Sequence, residues 1–83
     1  MYLAKVFITL KPSVNDPQGL TIMGGLKSLG FDTVNSVRAG KYMEVRLQEE
    51  SENAASAKVE EMCSKLLANP IVEDYSFELE KAD

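Results

Sequence analysis

The side chains able to do catalytic chemistry are few in this sequence. Its 83 residues include no histidine and a single cysteine, Cys63. Without an imidazole the chain has no Ser-His-Asp or Cys-His arrangement, and it lacks the commonest metal ligand. Cys63 is then the one candidate nucleophile. Its neighbours Met62, Val59 and Leu66 are apolar, which predicts a buried thiol with a raised pKa and a structural role.

The acidic residues and the glycines do not form a catalytic pattern either. Carboxylates at the ends of predicted elements usually lie in solvent or favour a helix N-terminus. A metal site or an acid–base pair is the less favoured interpretation. Gly24-Gly25 falls inside a predicted helix, whereas a phosphate-binding loop should follow a strand and open a helix. We expect no catalytic residue, cofactor or metal on this chain. The carboxylates in question are Glu49, Glu50, Glu52, Glu73 and Asp74.

Two segments contain more polar, charged and turn-forming residues than a short connection between elements requires. Residues 11–19 form a long connection and a helix start, and residues 36–42 place Arg38, Lys41 and Tyr42 around a predicted hairpin tip. Cations at such a tip suit recognition of a carboxylate-rich protein surface or a phosphate. Ordinary capping and turn chemistry is an equally good interpretation of both segments.

Composition narrows the class of protein. A net charge of −4 and a pI near 4.8 disfavour nucleic acid, whose binding rests on clustered cations. No apolar run reaches the roughly 20 residues of a membrane span. One cysteine and the absence of a secretory pattern at Met1 predict a cytoplasmic protein. A single core of this size is marginal, and oligomerisation is the remaining way to strengthen it.

The hydrophobic pattern predicts the element order β-α-β-β-α-β. Strands are expected at residues 2–11, 34–39, 42–48 and 75–80, with a tight turn at Gly40-Lys41. Helices are expected from Asp16-Pro17 to Leu29 and from Ser51 to Ala68. The first strand should turn five alternate residues toward the core: Tyr2, Ala4, Val6, Ile8 and Leu10.

Each predicted helix has one apolar stripe. In the first helix Ile22, Leu26 and Leu29 share a face, and Gly30 suits the left-handed position after the last turn. We expect Gly24 and Gly25 to pack closely on the sheet. In the second helix Glu61 and Lys65 are spaced for an ion pair on the solvent side. The buried face of that helix should contain Ala55, Val59, Met62, Cys63 and Leu66.

With right-handed crossovers this order builds an α+β ferredoxin-like sandwich, a four-stranded antiparallel sheet with both helices on one face. We expect one domain over residues 1–80 and a frayed tail at residues 81–83. The other sheet face lacks helices, and it should place Phe7 close to Tyr42, Glu44 or Arg46. We interpret this face as a partner surface, with a merely solvated face as the alternative.

The chain resembles one family along nearly its whole length. That family is PurS, the small subunit of bacterial phosphoribosylformylglycinamidine synthase. The order and spacing of the similar runs make the resemblance specific. The runs are Lys5-Val6, Thr9-Leu10-Lys11-Pro12, Asp16-Pro17-Gln18-Gly19, Leu29-Gly30-Phe31, Val37-Arg38, Gly40-Lys41-Tyr42 and Cys63 with Lys65-Leu66-Leu67-Ala68-Asn69-Pro70.

The resemblance implies an accessory role in de novo purine biosynthesis. The family's complex converts formylglycinamide ribonucleotide, glutamine, ATP and water into formylglycinamidine ribonucleotide, glutamate, ADP and phosphate. Glutamine hydrolysis belongs to a glutaminase chain, and the ATP- and Mg-dependent step belongs to a large synthetase chain. The small subunit is expected to form at least a homodimer and to let those two partners assemble for ammonia transfer.

The same resemblance implies the residues that contact the partners. Two other functions stay open at this point: a regulatory module of the same topology that binds a small molecule, and a stand-alone enzyme whose residues we cannot name. Asp16-Pro17 and Asn69-Pro70 could also be a conventional helix start and a conventional helix stop. The candidate partner-binding residues are Asp16, Pro17, Gln18, Gly19, Arg38, Lys41, Tyr42, Asn69 and Pro70.

Overall fold

The computed structural model of the protein describes residues 1–82. It confirms the α+β class and contains three strands and two α-helices. A stretch of π-helix directly continues the second helix. The elements, in chain order, are β1 (Tyr2–Leu10), α1 (Pro17–Ser28), β2 (Gly40–Leu47), α2 (Glu52–Met62), the π-helix (Cys63–Leu67) and β3 (Glu73–Lys81).

The sheet is antiparallel, with β1 in the centre and the order β2-β1-β3. Val6 on β1 lies opposite Met43 on β2 and Phe77 on β3. The predicted strand at residues 34–39 is wrong, because that segment pairs with no strand in the described chain. Gly40 and Lys41 are the first residues of β2 rather than a turn. The described chain therefore forms a three-stranded sheet, and the prediction of a four-stranded ferredoxin-like sandwich is wrong in this respect.

The core lies between β1 and α2. Ala4, Val6 and Ile8 are buried, as the alternation of β1 predicts, and they form one cluster with Ala55 and Val59 of α2. A valine or isoleucine side chain that leaves water on folding contributes about 1.5–3 kcal/mol. Because α2 packs on β1 and β3, this small cluster is what fixes the helix to the sheet.

The start and end of α1 follow the sequence prediction. Asp16 is the N-cap, with Pro17 as the first helical residue, which is the position where a missing N–H costs nothing. Gly30 adopts φ +98°, the left-handed conformation that residues with a Cβ rarely take. Local capping chemistry is thus sufficient to place both ends of this helix.

The predicted buried stripe of α1 is wrong. Ile22 and Leu29 are 41% and 75% exposed, and Leu26 is only half-buried. Nothing lies within 4 Å of the Cβ positions of Gly24 and Gly25, so these glycines do not pack on the sheet. Residues 17–28 do form a helix, as the spacing of apolar residues predicts, but the apolar side of this helix does not pack on the sheet of the same chain. The radius of gyration, 16.3 Å, exceeds the roughly 12 Å of a compact chain of this length.

The second helix begins as predicted and ends differently. The Ser51 hydroxyl accepts a hydrogen bond from the Ala54 N–H at 3.1 Å, which confirms the N-cap. Near the end, the Ala68 N–H donates to the Cys63 carbonyl at 3.0 Å, an i to i+5 bond. This wider π turn rotates the following residues. Leu66, which the α-helical period places in the core, is therefore 83% exposed.

The π turn brings Leu67 and Ala68 toward the core in place of Leu66. One solvent-side prediction for this helix is confirmed, because the Lys65 ammonium lies 3.2 Å from the Glu61 carboxylate. Pairs of this kind contribute a few tenths of a kcal/mol.

The last strand is longer than expected. Tyr75, Phe77 and Leu79 are partly buried against the core. β3 runs on to Lys81, which lies opposite Tyr2, and the Ala82 N–H donates to the Met1 carbonyl at 2.8 Å. The expected fraying at residues 81–83 therefore does not hold for the first two of them. The third, Asp83, lies outside the described residues.

Candidate functional site

Asp16 joins two loops at one end of the sheet. Its carboxylate accepts a hydrogen bond from the Gly19 N–H at 3.0 Å and another from the Ala39 N–H at 2.7 Å. Only 5% of Asp16 is exposed. The hydrogen bonds from the Ala39 and Gly19 backbones, with the positive charge of Arg38 nearby, lower the pKa of this carboxyl. Asp16 therefore caps α1 and holds residue 39 with the same side chain.

Arg38 joins the same two loops in the opposite direction. Its guanidinium Nη2 donates to the carbonyls of Lys11 and Val14, both at 2.9 Å, and makes a longer contact of 3.4 Å with the Leu10 carbonyl. We call Asp16 and Arg38 together the clasp. Within the segment at residues 34–39, which was expected to be a strand, the clasp binds the N–H of Ala39 through the Asp16 side chain.

Gly19 lets the two loops come close together. It is buried, and a Cβ on this residue would lie 2.2 Å from the Val37 carbonyl oxygen. A carbon and a non-bonded oxygen cannot lie this close together, so the backbone would have to shift to make room. A side chain at position 19 would force the loops apart and break the Asp16 bond to Ala39.

A second set of contacts continues across the sheet from β2. The Lys41 ammonium lies 3.3 Å from the Glu73 carboxylate, which also accepts a hydrogen bond from the Asn69 N–H at 2.6 Å. The Asn69 backbone and then Lys41 lower the pKa of Glu73. Asn69 thereby ties the turn that follows the π-helix to the start of β3.

The clasp and this second set of contacts border one open cleft of about 260 Å³. Polar and charged groups line it together with the apolar side chains of Ile8 and Leu10. Lys41 and Glu73, the paired charges, both line this cleft. The polar lining consists of Asp16, Gln18, Lys41 and Glu73.

The sheet face without helices carries an aromatic pair. The rings of Phe7 and Tyr42 lie 5.2 Å apart between centroids, which confirms the predicted proximity. The Tyr42 hydroxyl donates to Glu44 at 2.8 Å, and the acceptance of this bond by a carboxylate raises the pKa of Tyr42. Lys5 pairs with Glu80 at 3.3 Å on the same face. The face is thus a mixture of aromatic and charged side chains.

The end of the π-helix and the turn that follows it each expose one large apolar residue. Leu66 is 83% exposed and Ile71 is 81% exposed. The Asn69 side chain accepts a hydrogen bond from the Ile71 N–H at 3.1 Å, which fixes the turn. The α-helical period predicted that Leu66 lies in the core, and the sequence analysis made no prediction for Ile71. We call Leu66 and Ile71 the apolar corner.

The fold and this end of the sheet can be compared with those of known proteins. A family model described as PurS, phosphoribosylformylglycinamidine (FGAM) synthase, matches residues 3–81. The chain belongs to the PurS family.

Individual relatives agree with that assignment. The PurS subunit of phosphoribosylformylglycinamidine synthase from Bacillus subtilis is 47% identical over 81 residues, which are 98% of this chain and 95% of the relative. The crystal structure of Methanocaldococcus jannaschii PurS is 44% identical, with a TM-score of 0.87 and full coverage of both chains. A chain in the structure of PurLQS from Thermotoga maritima is 27% identical, with a TM-score of 0.85, and the match covers 96% of this chain and 99% of that one.

Most candidate partner-binding residues of this PurS-family chain meet at one end of the sheet. Asp16, Gly19 and Arg38 meet at the clasp, and Lys41 connects through Glu73 to Asn69. Pro17 begins α1 beside the cleft residue Gln18, and Pro70 follows Asn69. Tyr42 lies instead on the open sheet face. Contact of these nine residues with partners stays a prediction.

The only thiol of the chain is not placed for catalysis. Cys63 is buried in the core cluster, and burial, followed by the negative charge of Glu60, raises the pKa of its thiol. A protonated, inaccessible thiol is a poor nucleophile. Within residues 1–82 no three potential metal ligands come together. Over the same residues, neither helix is long and apolar enough to cross a membrane.

Proposed function

We propose that this chain is the small, non-catalytic subunit of the phosphoribosylformylglycinamidine synthase complex. The observation that carries the proposal is the PurS family match over residues 3–81, together with a full-length structural match to a chain of PurLQS from Thermotoga maritima. The complex is an ATP-dependent ligase that takes nitrogen from glutamine. The small subunit acts in de novo purine biosynthesis without an active site of its own.

Its role is to bring the synthetase and glutaminase chains into register, so that ammonia passes from one to the other. ATP and Mg belong to the synthetase partner, and no cofactor belongs to this chain. Its own chemistry supports that division, since the thiol of Cys63 is buried. We place the protein in the cytoplasm, where the nucleotide substrates are made, and expect it to act as at least a homodimer. No nucleic acid or membrane partner is part of the proposal.

The surfaces offered to the partners are those described above. The clasp end of the sheet supplies hydrogen-bonding edges and an open cleft, and the apolar corner supplies Leu66 and Ile71. Contact with a partner would remove Leu66 and Ile71 from water. The clasp residues themselves are occupied by internal hydrogen bonds, so they shape this surface more than they contact it.

Assembly of purified subunits tests the proposal. The synthetase and glutaminase are run on a size-exclusion column alone, together, and together with this chain, in the presence of glutamine and a Mg-nucleotide. We expect the two large chains to co-elute only when this chain is added. Co-elution that is equally complete without it would contradict the assembly role.

A further inference from the structure

The winding at the end of the second helix decides which of two leucines is exposed. In the π turn the Ala68 N–H donates to the Cys63 carbonyl, which is one residue further back than an α-helical bond reaches. Leu66 is 83% exposed, and Leu67 is half-buried against the core. An α-helical winding would place Leu66 three residues after Cys63 and seven after Val59, on their buried side. The two windings therefore exchange the exposed leucine.

The strand β3 holds this helix at two points. Before the π turn, the Tyr75 hydroxyl donates to the Glu60 carboxylate. After it, the Asn69 N–H donates to the Glu73 carboxylate at 2.6 Å. Tyr75 and Glu73 are two residues apart on one strand, so they lie on the same side of the sheet. The segment between Glu60 and Asn69 is thus fixed at both ends by one strand, and the π turn is the winding that it takes between those ends.

The second of these points is the start of an ordered turn. The Asn69 carbonyl accepts hydrogen bonds from the N–H groups of Val72 at 3.1 Å and Glu73 at 2.7 Å, and its side chain accepts one from the Ile71 N–H. The two windings turn the chain by different angles over residues 63–67. An α-helical winding would therefore carry the Asn69 N–H away from the Glu73 carboxylate. The bond from Asn69 to Glu73 and an exposed Leu66 occur together.

The Glu73 carboxylate decides between the two windings. Each winding buries one leucine, so the apolar area that leaves water is similar in both. The α-helical winding has the commoner hydrogen-bond pattern, since π turns are rare in helices. The π turn has instead the hydrogen bond to an ionised carboxylate, which is one of the stronger kinds. Removal of the Glu73 carboxylate therefore removes the advantage of the π turn.

Lys41 connects this carboxylate to β2. Its ammonium lies 3.3 Å from the Glu73 carboxylate. The Lys41 side chain is 60% exposed, whereas that of Glu73 is 14% exposed. A partner that contacts Lys41 therefore acts on Glu73 through this ion pair. The cleft beside the clasp is thus connected with the apolar corner by Lys41, Glu73 and Asn69.

We propose that the end of the second helix is a switch between two windings, and that Glu73 holds it in the π form. With Asn69 bound to Glu73, Leu66 is exposed. With that bond released, the turn is α-helical, Leu66 packs in the core and Leu67 is exposed instead. The apolar corner is a partner surface in the proposed function, on which this inference rests. The switch presents that surface or withdraws it.

Thiol reactivity at the two leucine positions tests the switch. Leu66→Cys and Leu67→Cys are made separately in the full chain, and their reaction with the uncharged reagent N-ethylmaleimide is followed. The wild type serves as the blank, since Cys63 is buried. Each variant is then combined with Glu73→Ala. We expect Glu73→Ala to slow the reaction of the thiol at position 66 by about threefold or more, and to speed that at position 67 by about threefold or more.

A carboxylate of the same strand supplies the control. Glu80 forms its ion pair with Lys5 on the open sheet face, and Glu80→Ala removes the same charge as Glu73→Ala. It should change both rates less than about twofold. Faster reaction of both thiols in Glu73→Ala would show that the turn has opened instead of rewinding. Unchanged rates would show that Glu73 does not hold the π turn, and either result overturns the switch.

A second substitution moves the same balance without touching Glu73. Leu67→Asn places an amide against the core, where it is unfavourable, so the winding that carries position 67 to the surface is favoured. Combined with Leu66→Cys, it should slow the reaction of the thiol at position 66 by about threefold or more. Leu67→Met, which stays apolar, should leave that rate within about twofold. Faster or unchanged reaction in Leu67→Asn overturns the switch, and this pair decides if Glu73→Ala does not fold.

These rates are measured on this chain alone, and the co-elution experiment uses all three subunits. Unchanged rates in a chain that assembles the complex would refute the switch and leave the proposed function standing. Exchange of the two leucines in a chain that has no effect on co-elution would do the reverse.

Discussion

Asp16 and Arg38 bind the same two loops from opposite sides. The carboxylate of Asp16 accepts from the backbone of residue 39 at 2.7 Å, and the guanidinium of Arg38 donates to the backbone carbonyl of Val14 at 2.9 Å. Asp16 therefore binds the backbone next to Arg38, and Arg38 binds the backbone close to Asp16. The direction of α1 and the start of β2 both depend on this reciprocal contact.

Removal of Arg38 should loosen the loop at residues 10–19. Arg38→Ala loses two good hydrogen bonds to carbonyls, and we expect the free energy of unfolding to fall by about 1 kcal/mol. Amide hydrogen exchange should accelerate in residues 14–20. Arg46→Ala, an exposed arginine on the open sheet face, is the control and should stay within about 0.5 kcal/mol of wild type. Equal effects of the two substitutions would show that the clasp contributes nothing.

The clasp should also make stability depend on pH. The folded-state pKa of Asp16 lies below its ordinary value of 3.8, because two backbone N–H groups bind the ionised form. Its contribution is therefore complete above pH about 4–5 and is lost as the pH falls through the lowered pKa. We expect Asp16→Asn to lower Tm at pH 7 and to flatten the fall of Tm between pH 4 and 2. Asp32→Asn is the control and should keep the wild-type shape. If Tm of Asp16→Asn falls between pH 4 and 2 as steeply as that of wild type, Asp16 is not the group responsible for this pH dependence.

The elements that depend on local chemistry could be predicted from the sequence. The alternation of β1, the caps at Asp16 and Ser51 and the left-handed Gly30 involve only neighbouring residues, and each is confirmed. The pairing of Phe7 with Tyr42 followed from the common order of strands in this topology.

The failures have causes that a simple strand or helix period does not contain. Residues 34–39 look like a strand, but the N–H of Ala39 is bound by the side chain of Asp16 instead of by a neighbouring strand. The apolar stripe of α1 lies on a helix as predicted, yet periodicity does not say whether the chain's own sheet lies beneath it. Leu66 was assigned to the core because a π turn cannot be seen in a 3.6-residue period. The residues of the candidate site were predicted from the segments that resemble the PurS family. The hydrogen bonds between them join residues far apart in the sequence, and only the structure shows them.

The π turn can be tested with two adjacent leucines. Leu66 is 83% exposed, so Leu66→Ala should change the free energy of unfolding by less than about 0.5 kcal/mol. Leu67 is half-buried against the core, so Leu67→Ala should cost about 1–2 kcal/mol in chemical denaturation. An uninterrupted α-helix predicts the opposite order. If Leu66 belongs to a partner surface, Leu66→Asp should also weaken assembly without loss of fold.

Cys63 should matter for stability and not for the reaction. Cys63→Ala removes a buried sulfur atom and should cost about 1 kcal/mol, while Cys63→Ser buries a hydroxyl among apolar groups and should cost more. A thiol reagent should modify the native protein only after denaturation. Both variants, where folded, should support wild-type turnover of the reconstituted complex. Loss of turnover in a folded Cys63→Ala protein would assign this thiol a catalytic role.

Glutamine-dependent turnover measured with and without this chain tests the central claim most directly. The synthetase and glutaminase are mixed with formylglycinamide ribonucleotide, ATP, Mg and glutamine, and formylglycinamidine ribonucleotide is followed. A parallel reaction replaces glutamine by a high concentration of ammonium chloride, which needs no glutaminase. We predict that addition of this chain raises the glutamine-dependent rate at least tenfold and leaves the ammonia-dependent rate within twofold. An unchanged glutamine-dependent rate would contradict the role proposed for this subunit.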